Sequence, residues 1–394
     1  MDREGDNANA EKILLQALEG ERRVLGNENS LTLETMDHLA VVIGQQGRRD
    51  DQEKLDREAI RIGAQKLGPE SEQVLQATLD LGVTLWNEAR YAEAEHTFRH
   101  LVDVERRVFG SDAPLTMKAM GDLGLSIKSQ GRLAEAETRY CEVLANSKRV
   151  MGPEHPETAF NLDRLANLIP EEGHLAEAEK LTREELAIRL RTLGPEHTRT
   201  LIAKINLSDK LLKEGHFREA EKLQREALAV QVRIRGPENA DSLIFKTYLA
   251  KNLNAERRYA EAENLARETY EIQRRVSGPQ HTDTLDTLRE LGKAMAYMHR
   301  YAEANKLFQD VIQNGSYSAG QGNRWSVWYA FACVAAAAAH PDDALQFLHE
   351  AINRGYKNAD GLMADDDLKG LRRDSRFQQI VNKLRRSPAS LQAN

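Results

Sequence analysis

Two histidines are the best metal-ligand candidates in the sequence. His96 and His100 lie one helical turn apart, with Glu93 and Glu95 close by, and imidazole and carboxylate groups at this spacing can chelate zinc. The more ordinary interpretation is a solvated helix face that carries two histidines, and we prefer it. We therefore expect neither a metal ion nor a cofactor.

Motifs that commonly assemble catalytic groups are missing from the sequence. It contains no glycine-rich phosphate-binding motif of the Walker type, no His-Glu-x-x-His and no Cys-x-x-Cys. Three consecutive aspartates, 365–367, lack the alternating ligands and the glycine of a calcium loop. We interpret them as negative charge at the start of a helix, where it complements the helix dipole. The sequence thus predicts a protein that is not an enzyme.

The charge balance and hydropathy exclude further classes. The 394 residues include 55 lysines and arginines against 62 aspartates and glutamates, a net charge of -7, so no overall positive field would attract nucleic acid. No run approaches the roughly 18 apolar residues of a membrane span, and the N-terminus lacks a signal-peptide core. Cys141 and Cys333 are far apart, and we interpret both as packing thiols. We expect a cytoplasmic protein that binds neither nucleic acid nor a membrane.

A short sequence motif recurs every 42 residues, and it predicts the helices that position all these residues. It centres on a glycine, in contexts such as Leu-Gly-Pro-Glu-His, at Gly26, Gly68, Gly110, Gly152, Gly194, Gly236 and Gly278. A fixed period of this length is typical of a helical solenoid, in which each repeat covers the apolar face of its neighbour. We therefore expect one continuous array.

A second column, also 42 residues apart, marks an inner turn, so each repeat has two turns and two helices. It runs through Gly5, Gly47, Ala89, Gly131, Gly173, Gly215, Arg257 and His299. Ahead of it lies a column of leucines, from Leu39 and Leu81 to Leu291, followed by a column of small residues that lets the partner helix approach closely.

These columns resemble the tetratricopeptide repeat over roughly residues 5–355. The pairs Ala94 with Phe98, Ala136 with Tyr140 and Ala304 with Phe308 match its Ala-x-x-x-aromatic helix B. The 42-residue period resembles the longer variant of kinesin light chains and many bacterial proteins. The resemblance implies an all-α fold, a right-handed α-solenoid of antiparallel helix pairs. We predict these segments: a leading half-repeat with helix B only, 1–29; seven repeats, 30–314; a divergent eighth, 315–355; a helical cap, 356–386; and a disordered tail, 387–394.

Three local features complete the expected array. Hydroxyl residues that recur as helix A begins, such as Thr32 and Ser242, should cap its first amides, and the histidine column 155, 197 and 281 should shape the turn. Pro170 should shorten or kink the fourth helix A. Asn7 to Leu25 should form a helix B whose helix A is absent, so either the natural chain is longer, the start is assigned late, or a partner docks there.

The resemblance implies that helix A lines a concave groove. In repeats five to seven this places six residues as a partner-binding site: Lys213, Lys251, Asn254, Arg289, Lys293 and Tyr297. Equivalent positions in earlier repeats include Glu34, Asp37 and Asp163, so the wall should run from acidic to basic. Two interpretations stay open. Either Lys251 pairs with Asp209 and Lys293 with Glu290, which leaves a neutral wall, or the cations meet acidic side chains or a C-terminal carboxylate while Asn254 bonds to peptide backbone.

The function we expect is a non-enzymatic scaffold that binds a protein or an acidic peptide in the concave groove. The alternative is the sensor or recruitment arm of a larger bacterial signalling enzyme, a kinase or a nucleotide-dependent switch. Partner identity, biological process and oligomeric state are not encoded in any motif of the sequence.

Overall fold

A computed structural model describes residues 3–168, 171–314 and 325–385. Over these ranges the protein forms nineteen α-helices and one 3₁₀ helix, and no strand. The all-α prediction is thereby confirmed. The chain divides into two compact units, Met1–Pro170 and Glu171–Asn394.

The first unit consists of helices that pack in sequence, each against the next. Helices A are the even-numbered ones and helices B the odd-numbered ones. Their bounds are α1 Arg3–Val24, α2 Ser30–Gln45, α3 Arg49–Lys66, α4 Glu72–Asn87, α5 Tyr91–Val108, α6 Pro114–Ser129, α7 Leu133–Val150 and α8 Pro156–Ala166.

In the second unit the same alternation continues, and neighbouring helices A also contact each other. The bounds are α9 Glu171–Thr192, α10 Thr198–Lys213, α11 Phe217–Arg235, α12 Ala240–Ala255, α13 Tyr259–Val276, α14 Thr282–Tyr297, α15 Tyr301–Asn314, α16 Ser326–Ala337, α17 Pro341–Asn353, α18 Ala359–Ala364, the 3₁₀ helix Asp366–Leu371 and α19 Ser375–Arg385.

Turn geometry explains the two glycine columns. All seven glycines of the outer turn, from Gly26 to Gly278, have φ between 82° and 97°. Residues other than glycine rarely adopt this backbone conformation. At the inner turn Gly47, Gly131 and Gly215 have φ between 80° and 83°, whereas Ala89, Arg257 and His299 hold φ near 60° without being glycine. These three positions carry local backbone strain.

The leucine and small-residue columns form the packed interior of each unit. Leu39, Leu81 and Leu291 are buried, as predicted. A Cβ added at Gly82 would lie 2.5 Å from the Phe98 ring, so the small column does allow close helix approach. In the second unit a stack of aromatic rings continues the core, with Phe331 between Phe308 and Phe347 at centroid distances of 4.7 and 3.9 Å.

The prediction that hydroxyl side chains cap helix A is wrong. Thr32 and Ser242 donate their hydroxyl hydrogens to the carbonyls of Gly26 and Gly236 and so close the outer turn. The caps of helix A come from other side chains. The Nδ1 atoms of His155, His197 and His281, and the Oδ1 atoms of Asn29 and Asn239, accept the backbone N–H two residues ahead, at 3.0 to 3.3 Å.

Two predicted inner turns are absent. Helix α1 begins at Arg3 and runs through Gly5, and α9 begins at Glu171 and runs through Gly173. Pro170 itself lies outside the described residues. The fourth helix A, α8, ends at Ala166 after 11 residues, where α10 and α12 each have 16, so the predicted shortening is confirmed.

The C-terminal segment ends in an amphipathic helix. Its apolar residues Phe377, Ile380, Val381 and Leu384 are all buried, as their spacing predicts. The glycine-rich loop 315–322 and the tail 387–394 lie outside the described residues. Our segment boundaries stay predictions.

Candidate functional site

Three neighbouring helices A of the second unit carry the predicted groove residues. Helix α12 contacts both α10 and α14. The six side chains are distributed over them as follows: Lys213 on α10, Lys251 and Asn254 on α12, and Arg289, Lys293 and Tyr297 on α14. The helices thus bring together the residues that the sequence selected.

A buried carboxylate holds two of the cations. Lys251 Nζ lies 2.7 Å from Asp209 Oδ1, and Lys213 Nζ lies 3.2 Å from Asp209 Oδ2. Burial alone would raise the pKa of Asp209, but the two ammonium groups outweigh it and lower this pKa to about 2. The predicted Lys251 pair with Asp209 is confirmed. About a third of the Lys251 side chain stays exposed, so this residue still borders the groove.

Lys293 is held inside the protein. Its Nζ atom lies 2.7 Å from Asp367 Oδ1 and 3.2 Å from Glu290 Oε1. Burial alone would lower the pKa of Lys293, but the two carboxylates raise it well above its usual range. The predicted pair with Glu290 is confirmed, and Asp367 adds a partner that the sequence analysis did not foresee. A ligand would reach this ammonium group only by displacing Asp367.

Arg289 is the least satisfied cation of the site. Its guanidinium lies 3.6 Å from Asp365 and 3.8 Å from Asp367, longer than a hydrogen bond, and its buried Nε atom has no hydrogen-bond partner among the described residues.

The aspartates at 365–367 do more than place negative charge at the start of a helix. Asp365 caps the 3₁₀ helix by accepting the N–H of Asp367, and its other oxygen accepts the hydroxyl hydrogen of Tyr329.

Asn254 has a different role from that predicted, and Tyr297 lies at the surface. Asn254 is buried and donates to the backbone oxygen and to the carboxylate of Glu290, at 2.9 and 3.0 Å. It joins α12 to α14 and is not available to peptide backbone. Tyr297 is partly exposed and packs on Tyr259, with ring centroids 5.0 Å apart.

A depression lies on the surface between α12 and α14. Its volume is about 180 Å³, and its lining comprises Ile244, Thr247, Tyr248, Lys251, Asp283, Asp286, Arg289 and Glu290. The lining combines apolar surface with groups of both charges. Burial raises the pKa of Asp286 against the attraction of Arg289.

The other residues that the sequence offered for chemistry, the predicted zinc ligands and the two cysteines, do not come together in the described structure. His96 and His100 are exposed on α5, while Glu93 pairs with Arg90 and Glu95 with Arg99 and Arg132. The two carboxylates that would have completed a zinc site are thus engaged by arginines. Cys141 is exposed, contrary to our expectation of a packing thiol, and Cys333 is buried; neither forms a disulfide with a described residue.

Comparison with known families identifies the repeats. Two family models described as tetratricopeptide repeat match the chain, one over residues 73–149 and 243–314 and the other over 32–72 and 200–241. Together they cover more than half of the sequence. The chain is a tetratricopeptide repeat protein. Such repeats are generally non-catalytic and typical of protein-interaction surfaces.

A third family model matches the C-terminal part of this tetratricopeptide repeat protein. It is described as the N-terminal domain of A/B hydrolase-like proteins and covers residues 287–389, a range in which the described elements are all helical. The match includes Arg289, Lys293 and the aspartates that contact them. No curated protein matches the chain at a significant level.

Several solved structures are similar to this chain, and those with a TM-score above 0.5 share its fold. A candidate kinesin light chain from Podosopora anserina with nearly identical TPR-like repeats is 23% identical and has a TM-score of 0.48, and the match covers 52% of this chain and 96% of that one. The quorum sensor NprR from B. thuringiensis is 11% identical, with a TM-score of 0.56 and coverage of 90% and 100%. A signal transduction ATPase with numerous domains from Pyrococcus horikoshii, which carries a tetratricopeptide repeat sensor, is 12% identical, with a TM-score of 0.53 and coverage of 91% and 54%.

Proposed function

We propose that this tetratricopeptide repeat protein is a non-enzymatic scaffold that binds an extended, acidic peptide segment of a protein partner along α10, α12 and α14. The peptide lies over the depression between α12 and α14, with a carboxylate directed at Arg289 and Lys251. Ile244 and Tyr248 supply apolar contact beside these charges.

The observation that carries this proposal is the contact between Arg289 and the chain's own Asp365 and Asp367. The site already faces carboxylates, but at 3.6 and 3.8 Å they leave the guanidinium without a bidentate hydrogen-bonded partner. Arginine pairs best with a carboxylate that reaches both of its nitrogens at about 2.7–2.9 Å. A peptide carboxylate that enters the depression can supply this geometry.

A selection of random displayed dodecapeptides against the whole protein tests the proposal, because it yields a defined probe of the chemistry that the groove prefers. We expect enriched sequences with aspartate or glutamate beside an apolar residue. Their affinity, measured by fluorescence anisotropy, should fall at least tenfold in the double variant Lys251→Ala with Ile244→Ala. Affinity should also weaken as salt is raised.

Lys306→Ala is the matched control, because this exposed lysine lies on α15 and its removal changes the net charge equally. Control and wild type should bind alike. If the selected peptides bound the double variant as tightly as they bind wild type, the groove assignment would be wrong.

A second candidate function is a sensor arm within a longer signalling enzyme. What supports it is the likeness of this chain to the repeat-containing ATPase, of which it matches only 54%, although at 12% identity the likeness concerns the fold alone. An in-frame nucleotide-binding domain in the genomic sequence upstream of Met1 would favour this alternative. A stop codon directly upstream would remove it.

A further inference from the structure

The first unit contains a depression of opposite character, formed by α2, α4, α5 and α6. Its volume is about 250 Å³, below the roughly 300–1,000 Å³ of pockets for drug-sized ligands, and suited to one long side chain. The lining comprises Glu34, Asp37, His38, Glu72, Gln73, Leu75, Gln76, Leu79, Glu105, Phe109 and Leu115. Four of these residues are carboxylates, and within the described part of the chain no lysine or arginine lines the depression.

One of the four carboxylates is buried without a contacting ion-pair partner among the described residues. Glu105 is only 2% exposed, and its Oε2 atom has no hydrogen-bond partner among residues 3–168. Buried carboxylates are normally hydrogen-bonded or paired, since their desolvation is costly. The opposite wall adds Asp37, whose Oδ1 atom is likewise unpartnered there and whose carboxyl group shares a hydrogen bond with Asp80. The lining therefore contains two carboxylate oxygens that accept no hydrogen bond from any described residue.

The rest of the lining is apolar and in part exposed. Phe109 and Leu115 are 43% and 37% exposed, and Leu75 and Leu79 form a buried floor. An aliphatic stem that ends in a charged head suits such a surface, because lysine and arginine bury their methylene groups against apolar residues. A metal ion suits it less. Among the described residues, no three carboxylate or imidazole groups of this depression bring ligand atoms within 4.8 Å of one another.

We propose that this depression, defined by Asp37, Glu105, Leu75, Leu79, Phe109 and Leu115, binds a lysine or arginine side chain of a protein partner. The cationic head lies between Asp37 and Glu105, and the stem lies on the four apolar residues. The site is independent of the groove of the second unit, so each can fail without the other.

Titration of the site supplies a second, thermodynamic signature. Burial, together with the neighbouring charges of Asp80 and Asp56, raises the pKa of Asp37 to about 8, and burial raises that of Glu105 to about 7 against the attraction of Lys118. A bound cation favours the ionised forms and lowers both pKa values. Binding near pH 7 therefore releases protons, and affinity rises as the pH is raised from 6 to 8.

The probe is a capped, fluorescein-labelled glycine-serine nonapeptide with three lysines, and its counterpart is the same peptide acetylated at every lysine Nε. Acetylation keeps the stem and removes the charge, so only the first peptide should bind. Glu105→Gln with Asp37→Asn should weaken its binding at least tenfold. Asp103→Asn with Asp50→Asn removes two exposed charges from α5 and α3 and should change affinity less than twofold.

Two further measurements separate a specific site from general attraction by the net negative charge. Lys118→Ala removes the exposed cation whose charge acts on both Asp37 and Glu105, and binding should tighten. Methyl resonances of Leu75, Leu79 and Leu115 should shift on titration with the lysine peptide. Calorimetry in buffers of different ionisation enthalpy should show proton release.

Three results would overturn the proposal. Equal loss of affinity in the two double variants would show attraction by the overall field. Methyl shifts confined to residues outside the depression would place the peptide elsewhere. Equal binding of the acetylated peptide would show that the charge plays no part.

Discussion

At the scale of single residues, burial makes the stabilising contribution of Asp56 in the first unit depend on pH. Asp56 is 1% exposed, and although Thr84 donates to its Oδ2 atom at 3.3 Å, its Oδ1 atom has no partner among the described residues. Burial, and next the negative charge of Asp80, raise the pKa of Asp56 to about 7. In the unfolded chain the pKa is about 4. Between about pH 4 and 7, Asp56 therefore takes up a proton on folding. Its stabilising contribution is fully present below about pH 4 and is lost as the pH rises through 7.

We predict from this that Asp56→Asn stabilises the protein at pH 8, by about 1 kcal/mol or more, and has a smaller effect at pH 5. The amide has the same shape and carries no charge at either pH. Urea unfolding at the two pH values measures the difference. Asp50→Asn, an exposed change on the same helix, should show no such dependence, and equal effects of Asp56→Asn at both pH values would contradict the prediction.

Strained backbone at the inner turns gives a second prediction at this scale. Arg257 adopts φ of 63° at a position where Gly131 and Gly215 stand in other repeats. A left-handed conformation costs a residue with a Cβ about 1 kcal/mol relative to glycine. Arg257→Gly should therefore raise the free energy of unfolding by up to about 1 kcal/mol in urea titrations. A loss of stability would show that the arginine side chain contributes more than its backbone costs.

At the scale of the elements, close contact between the two helices of a repeat decides the packing. Gly82 on α4 leaves room for Phe98 of α5, and a Cβ there would lie 2.5 Å from the ring. Gly20 on α1 has open space around it. Gly82→Ala should therefore destabilise the protein by about 1–3 kcal/mol despite the better helix propensity of alanine, whereas Gly20→Ala should stabilise it by up to about 1 kcal/mol. Thermal unfolding of the two variants compares them, and shifts of the same sign would contradict this account.

Ion pairs between helices of successive repeats are a feature of the structure that we did not predict from the sequence. In two repeats helix B begins within the motif Arg-Tyr-Ala-Glu-Ala-Glu, at residues 90–95 and 258–263, but the ion pairs of its arginine were not predicted from the sequence. Arg90 contacts Glu53, Arg258 contacts Glu221 and Arg300 contacts Glu263, each 37 residues earlier, at 2.7 to 2.9 Å. This constant spacing is the signal that could have revealed them. The pairs are surface contacts of modest energy, and as a series they tie each helix B to the next.

The features that the sequence predicts are local or periodic, whereas those that it does not predict are contacts between residues far apart in the chain. Outer-turn glycines, buried leucines and the helix pairs follow from local conformation and from a strict period, so the sequence suffices for them. The partners of Arg289 and Lys293 do not. Asp365 and Asp367 lie more than 70 residues further along, beyond the strict repeats, and only the path of the C-terminal segment brings them to α14. Likewise, the contact of Asn254 with Glu290, which withdraws this amide from a peptide, follows from no local pattern.

At the scale of the whole molecule, stability should be distributed over the repeats of each unit. Leu165 in the first unit and Leu207 in the second are both buried. In a repeat array each repeat packs against its neighbours in sequence, so the effect of a core substitution should stay local. Leu165→Ala and Leu207→Ala should each cost about 2–5 kcal/mol. Amide hydrogen exchange should accelerate most in the helices next to the substitution. A cost below about half a kcal/mol for either variant would refute the assigned repeat register.

The central claim is that the groove of α10, α12 and α14 binds carboxylates of a peptide at Arg289 and Lys251. It is tested most directly by the affinity of one selected acidic peptide for wild type, Lys251→Ala and Asp365→Asn. Asparagine at 365 can still cap the 3₁₀ helix and accept from Tyr329, but it no longer competes for Arg289 with a charge. We predict weaker binding by Lys251→Ala and severalfold tighter binding by Asp365→Asn. Unchanged affinity in both variants would contradict the claim.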